Sequence, residues 1–140
     1  TESLLKLINL IENYSVSELL DNCLAKNEKK TISILNENNY SNEDCIIIIK
    51  TLIHKLKRIL RLSLDYQENK DLNLTIAKAK PPIFWKDKEI VRQQIIKWSP
   101  SQINKLMFDA NEVELQIKKN RVNPLNLVSD FVLTQVSLNQ

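Results

Sequence analysis

The chain has no glycine in 140 residues. An average chain carries glycine at roughly 7% of positions, because hairpin turns, phosphate-cradling loops and tight β-connections need a positive φ that a residue with a Cβ adopts at a cost. A β-rich fold is therefore not expected, and helix is the default state. Proline is confined to Pro81, Pro82, Pro100 and Pro124. Long stretches are thus left through which a helix can run without losing a backbone donor. Hydrophobic residues make up 43% of the chain and charged residues 26%, the balance of a globular domain with one affordable core. No run of about 18 apolar residues reads as a transmembrane helix.

The same composition narrows the chemistry. A phosphate-binding loop needs glycines so that successive N–H groups can face the anion, so no ATP site of that kind is expected. Cys23, Cys45 and the single histidine, His54, cannot supply a four-ligand metal set. Both cysteines fall on apolar helical faces, which suits reduced core residues in a cytoplasmic protein. A nucleophile needs a neighbouring base, and His54 lies on a basic, solvated helix side. The acids Glu43 and Asp44, and Glu112 and Glu114, are spaced so that neither pair shares a helix face. The chain is read as having no catalytic residue, no cofactor and no metal.

Periodicity predicts an all-α fold, an irregular bundle of about six helices. Residues 2–13 hold Leu4, Leu5, Leu7, Ile8, Leu10 and Ile11 so densely that a helix there would be apolar around most of its circumference and would need a partner surface. Ser15 with Glu18 reads as a capping box opening a helix that ends near Asn27, with Val16, Leu19, Leu20, Cys23 and Leu24 inward. A short helix burying Thr31, Ile34 and Leu35 follows, then a polar connection from Asn36 to Asn42. The longest helix is predicted from Asn42 to about Ser63, with Cys45, Ile49, Leu52, Ile53, Leu56, Ile59 and Leu60 on one stripe. A charged connection at Asp65–Asp71 is expected after it. A helix starting near Lys86 would face inward with Ile90, Val91, Gln94, Ile95 and Trp98, with Phe84 and Trp85 lying across its start. Ser99, Pro100 and Gln102 form a strong start for the next helix, which buries Ile103, Leu106, Ala110, Val113 and Ile117. Asn123 and Pro124 repeat that device ahead of Leu125, Val128, Phe131, Val132 and Val136.

Two features stand out as candidate sites. Residues 50–61 carry a charge of +5 without an acid, against +3 for the whole chain. Lys50, Lys57, Arg58 and Arg61 could track nucleic-acid phosphates, or could be a solvated or subunit-facing surface. No aromatic residue interleaves them to stack bases. The second feature is the segment from Pro81 to Ser99, where Pro82, Phe84, Trp85, Gln94 and Trp98 suit either a core corner or an interface anchor.

At this segment the sequence resembles the delta subunit family of the bacterial DNA polymerase III clamp loader. Members carry a double proline, an aromatic pair followed by basic residues, a helix with a central glutamine, and a Trp-Ser opening the next helix. Here these stand as Pro81 and Pro82, Phe84, Trp85 and Lys86, Gln93 and Gln94, and Trp98 and Ser99. The likeness extends more loosely from Ser15 to Val132. It implies that residues 15–140 form a helical collar domain and residues 1–14 the tail of a preceding AAA+-like lid domain. It also implies partnership with the gamma or tau and delta-prime subunits, DNA contact through the complex, and sliding-clamp contact only through an N-terminal domain not present here. The expected location is then the cytoplasmic replisome of a nucleotidyltransferase holoenzyme, with no catalysis assigned to this chain and no membrane contact.

Overall fold

The computed structural model describes residues 14–119 and 123–137. Among these residues the fold is all-α, without a strand. Helix α1 runs through residues 14–24. It is followed by α2 (Glu28–Glu37), α3 (Asn42–Asn69), α4 (Leu72–Ala77), a 3-10 turn (Trp85–Asp87), α5 (Lys88–Lys97), α6 (Pro100–Lys118) and α7 (Pro124–Ser137). The apolar segment 2–13, and with it nearly all of the expected lid tail, lies outside the described residues.

Helix α3 is the centre of the bundle: α4, α5, α6 and α7 pack on it, while α2 packs on α7. Its buried stripe of Ile48, Ile49, Leu52, Leu56 and Ile59 meets Leu19, Leu20 and Leu24 of α1, Ile103 and Leu106 of α6, and Val128, Val132 and Val136 of α7 in one apolar cluster. Each such side chain contributes about 1.5–3 kcal/mol by leaving water, so α3 is the element the fold can least spare. Leu62, Ile76, Ile83, Val91 and Ile95 form a second, smaller cluster beneath the far end of α3. The single core affordable on composition is thus divided in two.

The ends of α3 show how the chain starts and stops a helix. Ser41 Oγ accepts from the Asp44 N–H at 3.2 Å, and Asp44 returns the bond by accepting from the Ser41 N–H at 2.8 Å. The helix does not stop near Ser63. It continues through the acidic stretch to Asn69, because no proline interrupts it and Tyr66 packs against the second cluster. It ends where Lys70 turns left-handed at φ 59° and the Asn69 side chain accepts from the Asp71 N–H at 2.7 Å.

The expected cap at Ser15 is not formed. The chain is already helical at Tyr14, and the Ser15 hydroxyl instead bonds the Tyr40 hydroxyl at 2.6 Å. At the other end of α1 the Asn27 N–H reaches Asn22 O at 2.9 Å and the Lys26 N–H reaches Cys23 O at 3.0 Å. This is the paired closure of a Schellman motif, with Lys26 at φ 59° in the position usually given to glycine. The cap at Ser99 forms as read: its hydroxyl accepts from the Gln102 N–H and Gln102 Oε1 accepts from the Ser99 N–H.

Candidate interaction site

The segment from Pro81 to Ser99 is split by the fold into a rooted half and an exposed half. In the rooted half, α5 and the residue after it direct three side chains onto the C-terminal end of α1 and the turn that follows. Gln94 Nε2 donates to Asp21 O at 2.9 Å, Trp98 Nε1 to Leu24 O at 2.7 Å, and Lys97 Nζ to Ala25 O at 2.7 Å. The Asp21 carbonyl also accepts from the Ala25 N–H at 3.0 Å, whereas carbonyls at the very end of a helix lack an intrahelical partner and carry the negative end of the dipole, so donors and a cation suit this end. Gln94 is fully buried and Trp98 nearly so. Lys55 of α3 completes the arrangement by pairing with Asp21 Oδ1 at 2.9 Å. The Lys26 ammonium lies 4.4 Å from the centre of the Trp98 ring. Burial and the nearby Lys97 charge lower the Lys26 pKa from its ordinary value.

In the exposed half, Phe84 and Trp85 do not pack across the start of α5 as expected. They are 58% and 70% exposed, and Pro82 is exposed beside them. The buried residue of this stretch is Ile83, which fills the second cluster and turns its two aromatic neighbours outward. The rings of Phe84 and Trp85 lie 6.0 Å apart at 45°, and the Lys86 ammonium is 5.5 Å from the Trp85 ring centre. A groove of about 510 Å³ runs along this corner, walled by Tyr14, Phe84 and Ile90 with Glu18, Asp21 and Asp87 at its polar side. Glu18 and Asp21 already face cations, Lys30 at 3.4 Å and Lys55 at 2.9 Å.

The four basic candidates separate in the same way. Lys50, Lys57 and Arg61 stand exposed on the outer side of α3 together with His54. Arg58 is turned aside and half-buried, with no hydrogen-bond partner for its Nε. Lys55 is directed inward to Asp21, so it does not add to the outer charge. Arg61 Nη1 donates to Lys80 O at 3.2 Å, which ties the loop carrying the double proline to the end of the basic row.

Tyr14 and Lys26 belong to this region without a signal in the sequence, whereas Asp21 and Lys97 lie in stretches the sequence marks, although their partners are not legible there. Cys23 donates to Val132 O at 3.6 Å, and burial pushes its thiol up to about 12. Burial likewise raises the Cys45 thiol. Among the described residues no group of three or more His, Cys, Asp or Glu side chains could hold a metal ion, and no helix is long and apolar enough to cross a membrane. No family model, curated protein or solved structure matches this chain.

Proposed function

We propose that the chain is a subunit-assembly domain similar to the helical collar of the clamp-loader delta subunit, with Phe84 and Trp85 as the anchor for a neighbouring subunit. One observation carries this reading. Within a single short segment Gln94 and Trp98 are rooted in α1, while Phe84 and Trp85 stand in solvent at 58% and 70% exposure. Clustered exposed aromatics mark interaction surfaces, and tryptophan is the residue most enriched among interface anchors. A pair held on a fixed corner also loses little freedom when it docks.

In this reading the neighbours are the collars of the gamma or tau and delta-prime subunits. The chain joins subunits in the replisome and performs no reaction. Size-exclusion chromatography of the chain mixed with gamma and delta-prime collar fragments at micromolar concentration tests it, since a co-eluting complex is required.

A second reading, contact with unpaired nucleic acid, is favoured by the Lys86 ammonium beside the open Trp85 ring and by the Arg61 bond to the loop that presents it. Aromatic faces stack on bases while cations hold the backbone. A Trp85→Ala variant would then lose affinity for a single-stranded oligonucleotide, and unchanged salt-dependent binding would remove this reading.

A further inference from the structure

The solvent side of α3 carries a pattern of its own. Ile47, Lys50, His54, Lys57, Arg61 and Leu64 are all exposed and follow one another at intervals of three, four, three, four and three. Those intervals keep a row on one side of a helix, drifting only about 20° per heptad. The buried stripe of Ile49, Leu52, Leu56 and Ile59 occupies the opposite side, so the row faces away from the bundle. At 1.5 Å per residue the row is about 26 Å long. Its two ends are apolar, with Ile47 43% and Leu64 50% exposed. One further turn out, at a spacing of four, stand the exposed acids Glu43 and Glu68. The row therefore reads alike from both directions: acid, apolar, four basic or imidazole groups, apolar, acid.

We propose that this row is a docking seam for a partner protein's amphipathic helix, one with an acidic centre flanked by an apolar residue on each side. Three observations select that occupant. Ile47 and Leu64 offer apolar contact at both ends, which a partner helix uses and a polyanion does not. Glu43 and Glu68 close the basic stretch at about 16 Å from Lys50 to Arg61, so a uniformly charged nucleic-acid strand following it would run onto carboxylates. A second copy is disfavoured, because antiparallel pairing of the row with itself opposes Lys50 to Arg61 and His54 to Lys57, and parallel pairing opposes each cation to its own copy. Charge complementarity then leaves an acidic helix. The seam is made of α3 residues and does not include Phe84 or Trp85, although Arg61 at its end bonds the loop that leads to them, and it stands whether or not that pair binds a subunit.

The test is fluorescence anisotropy on the whole chain with a labelled, cross-linked helical peptide of about 20 residues, long enough to span the seam. It carries glutamate at the central positions of one row and leucine at both ends of that row. The comparison probes are a peptide of the same composition with its glutamates moved off the row, and a single-stranded oligonucleotide. The patterned peptide should bind about tenfold or more tightly than the rearranged one. Lys50→Glu with Lys57→Glu should abolish that preference, and a peptide with lysine in place of glutamate should bind this variant. Ile47→Ser with Leu64→Ser should weaken the patterned peptide alone. All four positions are exposed, so thermal melting by circular dichroism should be unchanged. If the charge-reversed variant failed to fold, the peptide comparison on the natural chain and the end variant would still decide. Equal affinity for the two peptides overturns the proposal. So does a preference for the oligonucleotide that the charge reversal removes.

Discussion

Trp98 donates its indole N–H to the carbonyl oxygen of Leu24 across 2.7 Å, so the end of α1 is closed by a side chain that follows α5, 74 residues further along the chain. A long-range bond of this kind couples the position of the exposed aromatic corner to the packing of α1 against α3. Trp98→Phe keeps an aromatic side chain in the core and removes the donor, although the phenyl is smaller than the indole and gives up some packing as well. Leaving a buried carbonyl unpaired should cost about 1–3 kcal/mol, measured by urea denaturation. A loss below about 0.5 kcal/mol would mean that the bond is not a structural contact.

Asp21 is shared between Lys55 of α3 and Gln94 of α5, and the Asp21 and Lys55 side chains are only 16% and 12% exposed. Lys55→Met and Asp21→Asn should each destabilise by about 1–2 kcal/mol, and the double variant by clearly less than the sum. Strict additivity in that cycle would show that the two groups do not interact.

Two lysines, Lys26 and Lys70, hold the left-handed positions that end α1 and α3. That geometry costs a residue with a Cβ roughly 1–2 kcal/mol, partly offset for glycine by its greater unfolded-state entropy. Lys70→Gly should therefore stabilise the protein by about 0.5–1 kcal/mol. At Lys26 the gain should be smaller, because glycine also removes the cation over Trp98. A fall in melting temperature for Lys70→Gly would contradict this account of the glycine-free caps.

Burial raises the Cys23 thiol from an ordinary value near 9 to about 12, and raises the Tyr40 phenol as well. Between those two thiol values the unfolded chain releases a proton that the folded chain retains, so stability is full below pH 9 and declines as pH rises toward 12. Chemical denaturation as a function of pH should show that decline, with a shallower slope in Cys23→Ala. Rapid alkylation of Cys23 in the folded protein at pH 8 would contradict the buried, neutral thiol.

Much of the architecture was legible because helix signals are local. The missing glycine, the Ser99 cap, and the stripes through Leu52 and Leu56, Ile103 and Leu106, and Val128 and Val132 each depend on residues within a few turns of one another. What escaped the reading depends on tertiary partners. Ser15 has the chemistry of a cap, but its hydroxyl finds Tyr40. The acidic stretch after Ser63 reads as a loop until Tyr66 packs on a cluster assembled from α4 and α5. In the candidate site, the weight of aromatic residues between Pro82 and Trp98 was visible, but which of them face inward was not. That choice falls to Ile83, whose burial turns Phe84 and Trp85 out, and to the Asp21, Leu24 and Ala25 carbonyls at and just past the end of α1, which draw Gln94, Trp98 and Lys97 in. The basic residues of α3 were likewise visible, although the turn of Lys55 away from the outer row needed Asp21 of α1, and the half-burial of Arg58 needed the packed fold.

The most direct test of the assembly role is sedimentation-velocity titration of the chain with gamma and delta-prime collar fragments, beside a Phe84→Ser, Trp85→Ser variant. Loss of a central aromatic anchor costs about 2 kcal/mol or more. The account predicts a complex with the natural chain and at least about a 30-fold weaker dissociation constant for the variant, with both proteins melting alike. No complex at tens of micromolar on the scale of ordinary subunit contacts, or a complex of equal strength with the variant, would contradict it.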